Sequence, residues 1–230
     1  MIDGDSLLNL SMWYAVFLLS TTLHEASHAF TAHRLGDDTA YREGQVTLNP
    51  LPHIRREPWG MVLVPILFFL LSGYIIGWAS APYDPDWARR YPKRAGIMAL
   101  AGPLSNLALV LIAALLIHLG MAFDLFRLST RPYGATVAIG LGEGLPRLLG
   151  ILLSITFSLN LLLFCFNLLP VPPLDGSSFP LLFLGPSWAE KYTELMRHPA
   201  LAMIGLVLGF RYFSVIFGPV HAFAMRVLFP

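Results

Sequence analysis

The residues in this chain whose types and spacing could do chemistry are His24-Glu25-Ala26-Ser27-His28. Two histidines four apart fall on one helix face, one turn from each other, so two imidazoles can bind a single metal ion. The glutamate between them can then take a proton from water activated by that metal, which is the HExxH logic of metal-assisted hydrolysis. The pentad sits in an apolar run from Leu7 to Leu35. Ionisable groups inside a membrane-length apolar run are costly and mark function by default. A catalytic zinc site uses three protein ligands and keeps one position open. The candidates for the third are Asp175, Glu143, Asp124, His33, His53 and His221. Asp175 is preferred: it follows the helix-breaking run Pro170-Val171-Pro172-Pro173, where a carboxylate can turn inwards, and a glycine comes next.

The elements that must position these groups are membrane helices. Of 230 residues, 56% are hydrophobic and 13% charged, about half the charge density of a soluble domain. The expected fold is therefore an all-α polytopic membrane protein with five to six membrane-embedded helical segments and a short β element after the first helix. It forms one membrane-embedded domain over 1–230, with a core at 7–176 and C-terminal helices at 177–230. The net charge of +1 argues against a nucleic-acid partner. The single cysteine, Cys165, lies in an apolar run and reads as a packed small residue. The N-terminus, Met1-Ile2-Asp3-Gly4-Asp5, lacks the basic region of a signal peptide, so the first apolar segment is expected to be retained.

In chain order, Leu7 to Leu35 can span, and Gly36-Asp37-Asp38 stops it. Gln45-Val46-Thr47-Leu48 reads as a short strand. Met61 to Trp78 is marginal in length, with Ser72-Gly73 near its end. Ile97 to Met121 and Leu148 to Leu169 are spans. Phe179 to Leu184 and Trp188 to Arg197 are short helical pieces. Pro199 to Phe229 reads as apolar with an interruption at Gly218-Pro219.

At this point the chain resembles the site-2 protease family of intramembrane metalloproteases. The matching pieces are the HExxH, then Ala101-Gly102-Pro103-Leu104-Ser105-Asn106, then Asn167-Leu168-Leu169-Pro170 leading to Leu174-Asp175-Gly176. The resemblance implies one zinc ion held by His24, His28 and Asp175, with Glu25 as general base. It also implies that Asn106 and Asn167 help shape the active site, by holding an extended substrate or stabilising an oxyanion. Its substrates would be transmembrane proteins of the lipid bilayer, cleaved in regulated intramembrane proteolysis at the cell membrane of a bacterium or archaeon. No PDZ or CBS module is evident, so regulation would fall to a separate protein. Rival readings are a membrane metal-binding or transport protein, in which Glu25 would be dispensable, and an inactive scaffold that binds transmembrane helices.

The zinc site sets a parity condition. Asp175 reaches the depth of His24 and His28 only if an even number of crossings separates them, so Met61 to Trp78 is expected to enter the membrane and turn back. The positive-inside rule agrees. With that topology Arg34, Arg42, Arg55, Arg56, Arg89, Arg90, Lys93, Arg94, Lys191 and Arg197 share the cytoplasmic side, against Arg127, Arg131 and Arg147 outside. Short exposed strands near Gln45 to Leu48 or at Gly77-Trp78-Ala79 could capture an unwound substrate by strand addition.

Overall fold

Among the described residues, four helices are long and apolar enough to cross a membrane: α1 (Gly4–Arg34), α6 (Pro92–Ala122), α7 (Leu145–Asn167) and α9 (Pro199–Leu228). At 1.5 Å per residue even α7 is about 35 Å long, more than the roughly 30 Å of hydrocarbon in a bilayer. The chain is a multi-pass membrane protein. The computed structural model describes residues 4–73, 75–129 and 136–229. Met1 to Asp3 and Arg131 lie outside them.

α1 ends where Gly36 adopts φ +97°. The carbonyl of Leu35 accepts from the Arg94 guanidinium (3.0 Å) and the Trp87 indole (3.3 Å). Trp87 is thus a buried cap on the end of α1. Two short helices follow, α2 (Thr39–Arg42) and α3 (Pro50–Arg56). Between them Gln45 to Leu48, expected as a strand, is an irregular bend. Side chains claim the polar groups there: His53 Nε2 bonds the Thr47 carbonyl, and the Asn49 N–H donates to Thr47 Oγ1. The β element comes later in the chain, where β1 (Phe126–Leu128) pairs antiparallel with β2 (Ala138–Gly140) in the register Arg127 to Ile139.

The segment between α3 and α6 doubles back. A π-helical turn over Trp59–Leu63 runs into α4 (Val64–Ser72), which Gly73 closes at φ +75°. The chain then returns extended from Ile75, and the Trp78 N–H donates to the Gly60 carbonyl at 3.1 Å. The two limbs touch backbone to backbone: a methyl group at Gly60 would lie 2.2 Å from the Trp78 carbonyl oxygen. Tyr14 of α1 donates to the Met61 carbonyl (3.1 Å), tying the hairpin to the first helix. Met61 to Trp78 therefore does not cross. α5 (Pro85–Arg90) follows, and its approach is pinned by buried Asp37, whose carboxylate accepts from the Thr39 and Asp84 N–H groups.

α6 and α7 form an antiparallel pair, and between them lies the two-stranded sheet. The Ser154 hydroxyl on α7 accepts the Val137 and Ala138 N–H groups at 3.0 and 2.9 Å. Beyond α7 the proline run breaks the helix, and a 3-10 turn over Asp175–Leu182 packs under it. That packing needs glycine at 176, where a Cβ would lie 2.3 Å from the Leu168 carbonyl oxygen. α8 (Pro186–Met196) lies across this turn, with the Tyr192 hydroxyl donating to the Ser177 carbonyl at 2.6 Å. Burial pushes the Tyr192 phenol above its ordinary pKa, which keeps it a donor.

α9 is a correction to the sequence reading, because Gly218-Pro219 does not interrupt it. Proline removes one backbone donor, and apolar turns on both sides hold the helix together across the gap. Its far end packs on α6 and β1 in a cluster with Ile117, Phe126, Phe157 and Phe229. Cys165 packs against the same cluster, as a small apolar residue would.

Four full crossings and one hairpin place the C-terminal end of α1, the start of α6 and the end of α7 at one level. Apart from Arg211 within α9, the basic residues among those described segregate accordingly. Arg34, Arg42, Arg55, Arg56, Arg89, Arg90, Lys93, Arg94, Lys191 and Arg197 lie at that end, against Arg127, Arg147 and Arg226 at the other. The topology can be checked by labelling. In a Cys165→Ser background, Arg56→Cys and Pro82→Cys are expected to react with a membrane-impermeant maleimide from the same side. Labelling from opposite sides would mean that Met61 to Trp78 crosses.

Candidate metal centre

α1 turns His24 and His28 towards α6, and the 3-10 turn brings Asp175 to meet them. His24 Nε2 lies 3.1 Å from Asp175 Oδ2, His28 Nε2 lies 3.4 Å from Asp175 Oδ1, and the two Nε2 atoms are 3.0 Å apart. Ligands at 2.0–2.1 Å from a tetrahedral zinc stand about 3.3 Å from each other, so this triangle has the size of one tetrahedral face. Among the described residues this is the one cluster of three such groups. Glu143, Asp124, His33, His53 and His221 do not join it. His33 pairs with Asp38 and stacks on Tyr41, while His221 packs on Phe217.

Both imidazoles are held so that Nε2 can ligate. His28 Nδ1 is 2.8 Å from the Met98 carbonyl, which can only accept, so Nδ1 carries the proton and the Nε2 lone pair is free. His24 Nδ1 is 2.6 Å from Asn106 Oδ1, with the same result. Such partners fix ring orientation and raise ligand basicity. Gly102, one turn before Asn106 on α6, faces the two rings. A Cβ there would lie 2.3 Å from His28 Nε2 and 2.5 Å from His24 Nε2. The gap it leaves, between two nitrogen lone pairs and a carboxylate, is where a metal ion would sit. The donor set of two imidazoles and a carboxylate suits zinc.

Glu25 is 6% exposed and, among the described residues, makes no side-chain hydrogen bond. It borders a cavity of about 360 Å³ together with His28 and Asp175. The returning limb of the hairpin, Ala79 to Ala81, forms one wall of this cavity, and Tyr192 of α8 and Arg197 just after it stand at another.

The two asparagines singled out from the sequence have different positions. Asn106 is fully buried, with Oδ1 facing His24 and Nδ2 donating to Asn160 Oδ1 at 2.9 Å, so no part of its amide faces the cavity. Asn167 is half-buried at the end of α7 and donates to the Leu163 carbonyl of its own helix at 3.1 Å. Sequence reasoning missed Asn160 and Ser20, which continue the buried chain behind Asn106. The signal was available: Asn160 is an amide inside an apolar membrane-length run, two turns before Asn167.

The close fit at Gly102 gives a direct test. Gly102→Ala is expected to cost at least about tenfold in zinc affinity, the range seen when a site's supporting shell is disturbed, with the fold retained. Zinc content per chain by atomic absorption, alongside thermal unfolding, checks it.

Comparison with known proteins finds relatives named for zinc. The family model described as "Peptidase family M50" matches residues 12–212. The protein named "Putative zinc metalloprotease YwhC" of Bacillus subtilis is 38% identical over 161 residues, which cover 69% of this chain and 63% of that protein. "Putative zinc metalloprotease Rip2" of Mycolicibacterium smegmatis is 35% identical over 162 residues, 70% of this chain and 53% of that one. The Mycobacterium tuberculosis protein of the same name is 33% identical over 165 residues, 72% of this chain and 54% of that one. The chain thus matches between about half and two thirds of the length of these relatives. No solved structure matches it. With the family model spanning most of its length, the chain belongs to peptidase family M50, the site-2 protease family.

Proposed function

We propose that this protein is a zinc-dependent endopeptidase that hydrolyses peptide bonds in transmembrane segments of other membrane proteins, as a step in regulated intramembrane proteolysis. The observation that carries the reading is the convergence of His24 Nε2, His28 Nε2 and the Asp175 carboxylate, with His28, Asp175 and Glu25 all bordering one cavity. When bound, zinc supplies Lewis acidity and brings the pKa of a coordinated water towards about 7.

The chain's own residues do the rest. Glu25 takes the proton of the attacking water and hands it to the leaving amine as the peptide bond breaks. His28, oriented by the Met98 carbonyl, and His24, oriented by Asn106, keep their Nε2 lone pairs on the ligand side throughout. Asn106 therefore acts through His24 and does not touch the substrate. Asn167, with its amide bonded within α7, supports the last helical turn before the proline run.

A transmembrane helix hides its carbonyls in its own hydrogen bonds, so the substrate must unwind before attack. Extended Ala79 to Ala81 offers what an unwound segment needs. Among the described residues its backbone groups have no backbone partner, and it lines the cavity beside Glu25 and His28. Strand addition there would hold the substrate extended across the site. The bend at Gln45 to Leu48 is not extended and is a poorer template.

Two outcomes test the reading. Glu25→Gln is expected to keep one zinc per chain and to lose cleavage of a single-span substrate by about a hundredfold to ten-thousandfold, as removal of a proton-transfer group does. Cleavage persisting in that variant would sink it. Ala79→Pro removes one backbone donor from the template and is expected to slow cleavage by roughly fivefold to a hundredfold without loss of zinc, the equivalent of about 1–3 kcal/mol.

A further inference from the structure

We infer that Asn160, on α7, is a positioning residue that dictates which nitrogen of His24 is free to bind metal, acting through Asn106. The inference rests on the reading of His24 as a zinc ligand.

The argument starts from a group whose polarity is fixed. The Thr156 carbonyl, one turn before Asn160, can only accept a hydrogen bond, and it lies 2.8 Å from Asn160 Nδ2. The amide NH2 of Asn160 must therefore point at Thr156, where it also reaches Ser20 Oγ on α1 at 2.9 Å. That turns Asn160 Oδ1 towards α6, where it faces Asn106 Nδ2 at 2.9 Å. Two oxygens cannot share that contact, so Asn106 must present its NH2 to Asn160 and its oxygen to His24 Nδ1. An oxygen at Nδ1 requires the proton there, which leaves the Nε2 lone pair for the metal.

Each link is needed. If Asn106 turned over, its NH2 would meet His24 Nδ1, favour the tautomer protonated on Nε2, and close the ligand position. Nothing in Asn106 itself prevents this turn, because the two ends of an amide are nearly the same shape. The barrier is supplied by Asn160, and the orientation of Asn160 is supplied by a backbone carbonyl. Ser20, Asn106 and Asn160 are each fully buried, so water does not compete for these bonds. His28 receives the same instruction directly from the Met98 carbonyl. His24 has no backbone carbonyl at its Nδ1, and the two side-chain amides carry the polarity of one from α7 to α1.

The test compares variants of the full chain in nanodiscs, reading zinc affinity by chelator competition and the ligand field by cobalt(II) absorption. Asn160→Ser can keep an i−4 bond to Thr156, as Ser154 and Thr156 themselves do to Gly150 and Leu152, so the helix is preserved. It is too short to accept from Asn106. It is expected to weaken zinc binding by about 10- to 100-fold and to diminish the tetrahedral cobalt bands. Asn160→Asp keeps an oxygen towards Asn106 and, when neutral, an O–H for Thr156. It is expected to restore affinity to within about threefold of the native chain. Native affinity in Asn160→Ser would overturn the inference. So would equal losses in the Ser and Asp variants with equally lowered thermal stability of the metal-free protein, since that is the pattern of a packing role. Failure of the underlying reading looks different: His24→Ala would then retain zinc.

Discussion

The constraint on which this structure depends is that three ligand atoms must converge with their lone pairs unprotonated and turned towards one point. Two imidazoles and a carboxylate within 3.4 Å of each other are a repulsive arrangement unless a cation or protons sit among them. The protein prepares the arrangement from behind. Each histidine has its Nδ1 engaged by an oxygen, one from the Met98 backbone and one from the Asn106 side chain. Both oxygens come from α6, and the same helix supplies the bare surface at Gly102. α6 is thus the backing plate of the site, while α1 and the 3-10 turn carry the ligands.

Getting Asp175 to that plate is a problem of counting crossings. α6 and α7 together make a round trip through the membrane, so everything between α1 and α6 must begin and end on one side. The hairpin satisfies this with glycine contacts at Gly60 and Gly77, where the two limbs approach too closely for any side chain. The extended limb that results is costly in a bilayer unless protein covers it, and α1 covers part of it through Phe17.

Much of this was legible in the sequence for a physical reason. A charge inside an apolar run is so costly that its presence is informative, and HExxH and the aspartate after three prolines both stand out on that ground. The turned-back segment follows from ligand parity, and the distribution of basic residues agrees with it. What was illegible were matters decided by partners in space. The resemblance makes Asn106 a group that helps to shape the active site, but only the fold shows that both ends of its amide are engaged. Gln45 to Leu48 has strand-forming residues and no neighbour to pair with, so side chains claimed its backbone. Gly218-Pro219 looks like a break, yet an apolar helix in a membrane has no competing water to end it.

The extended limb from Ala79 to Ala81 carries a further consequence. Peptide groups left without backbone partners are expensive in hydrocarbon, each by several kcal/mol or so. They become tolerable only if the cavity they border is hydrated. Hydrolysis needs water at the same place. The solvation that makes the limb affordable as structure and the supply of the reactant are therefore one requirement, and a variant that dried the cavity would lose its second substrate before it lost its metal.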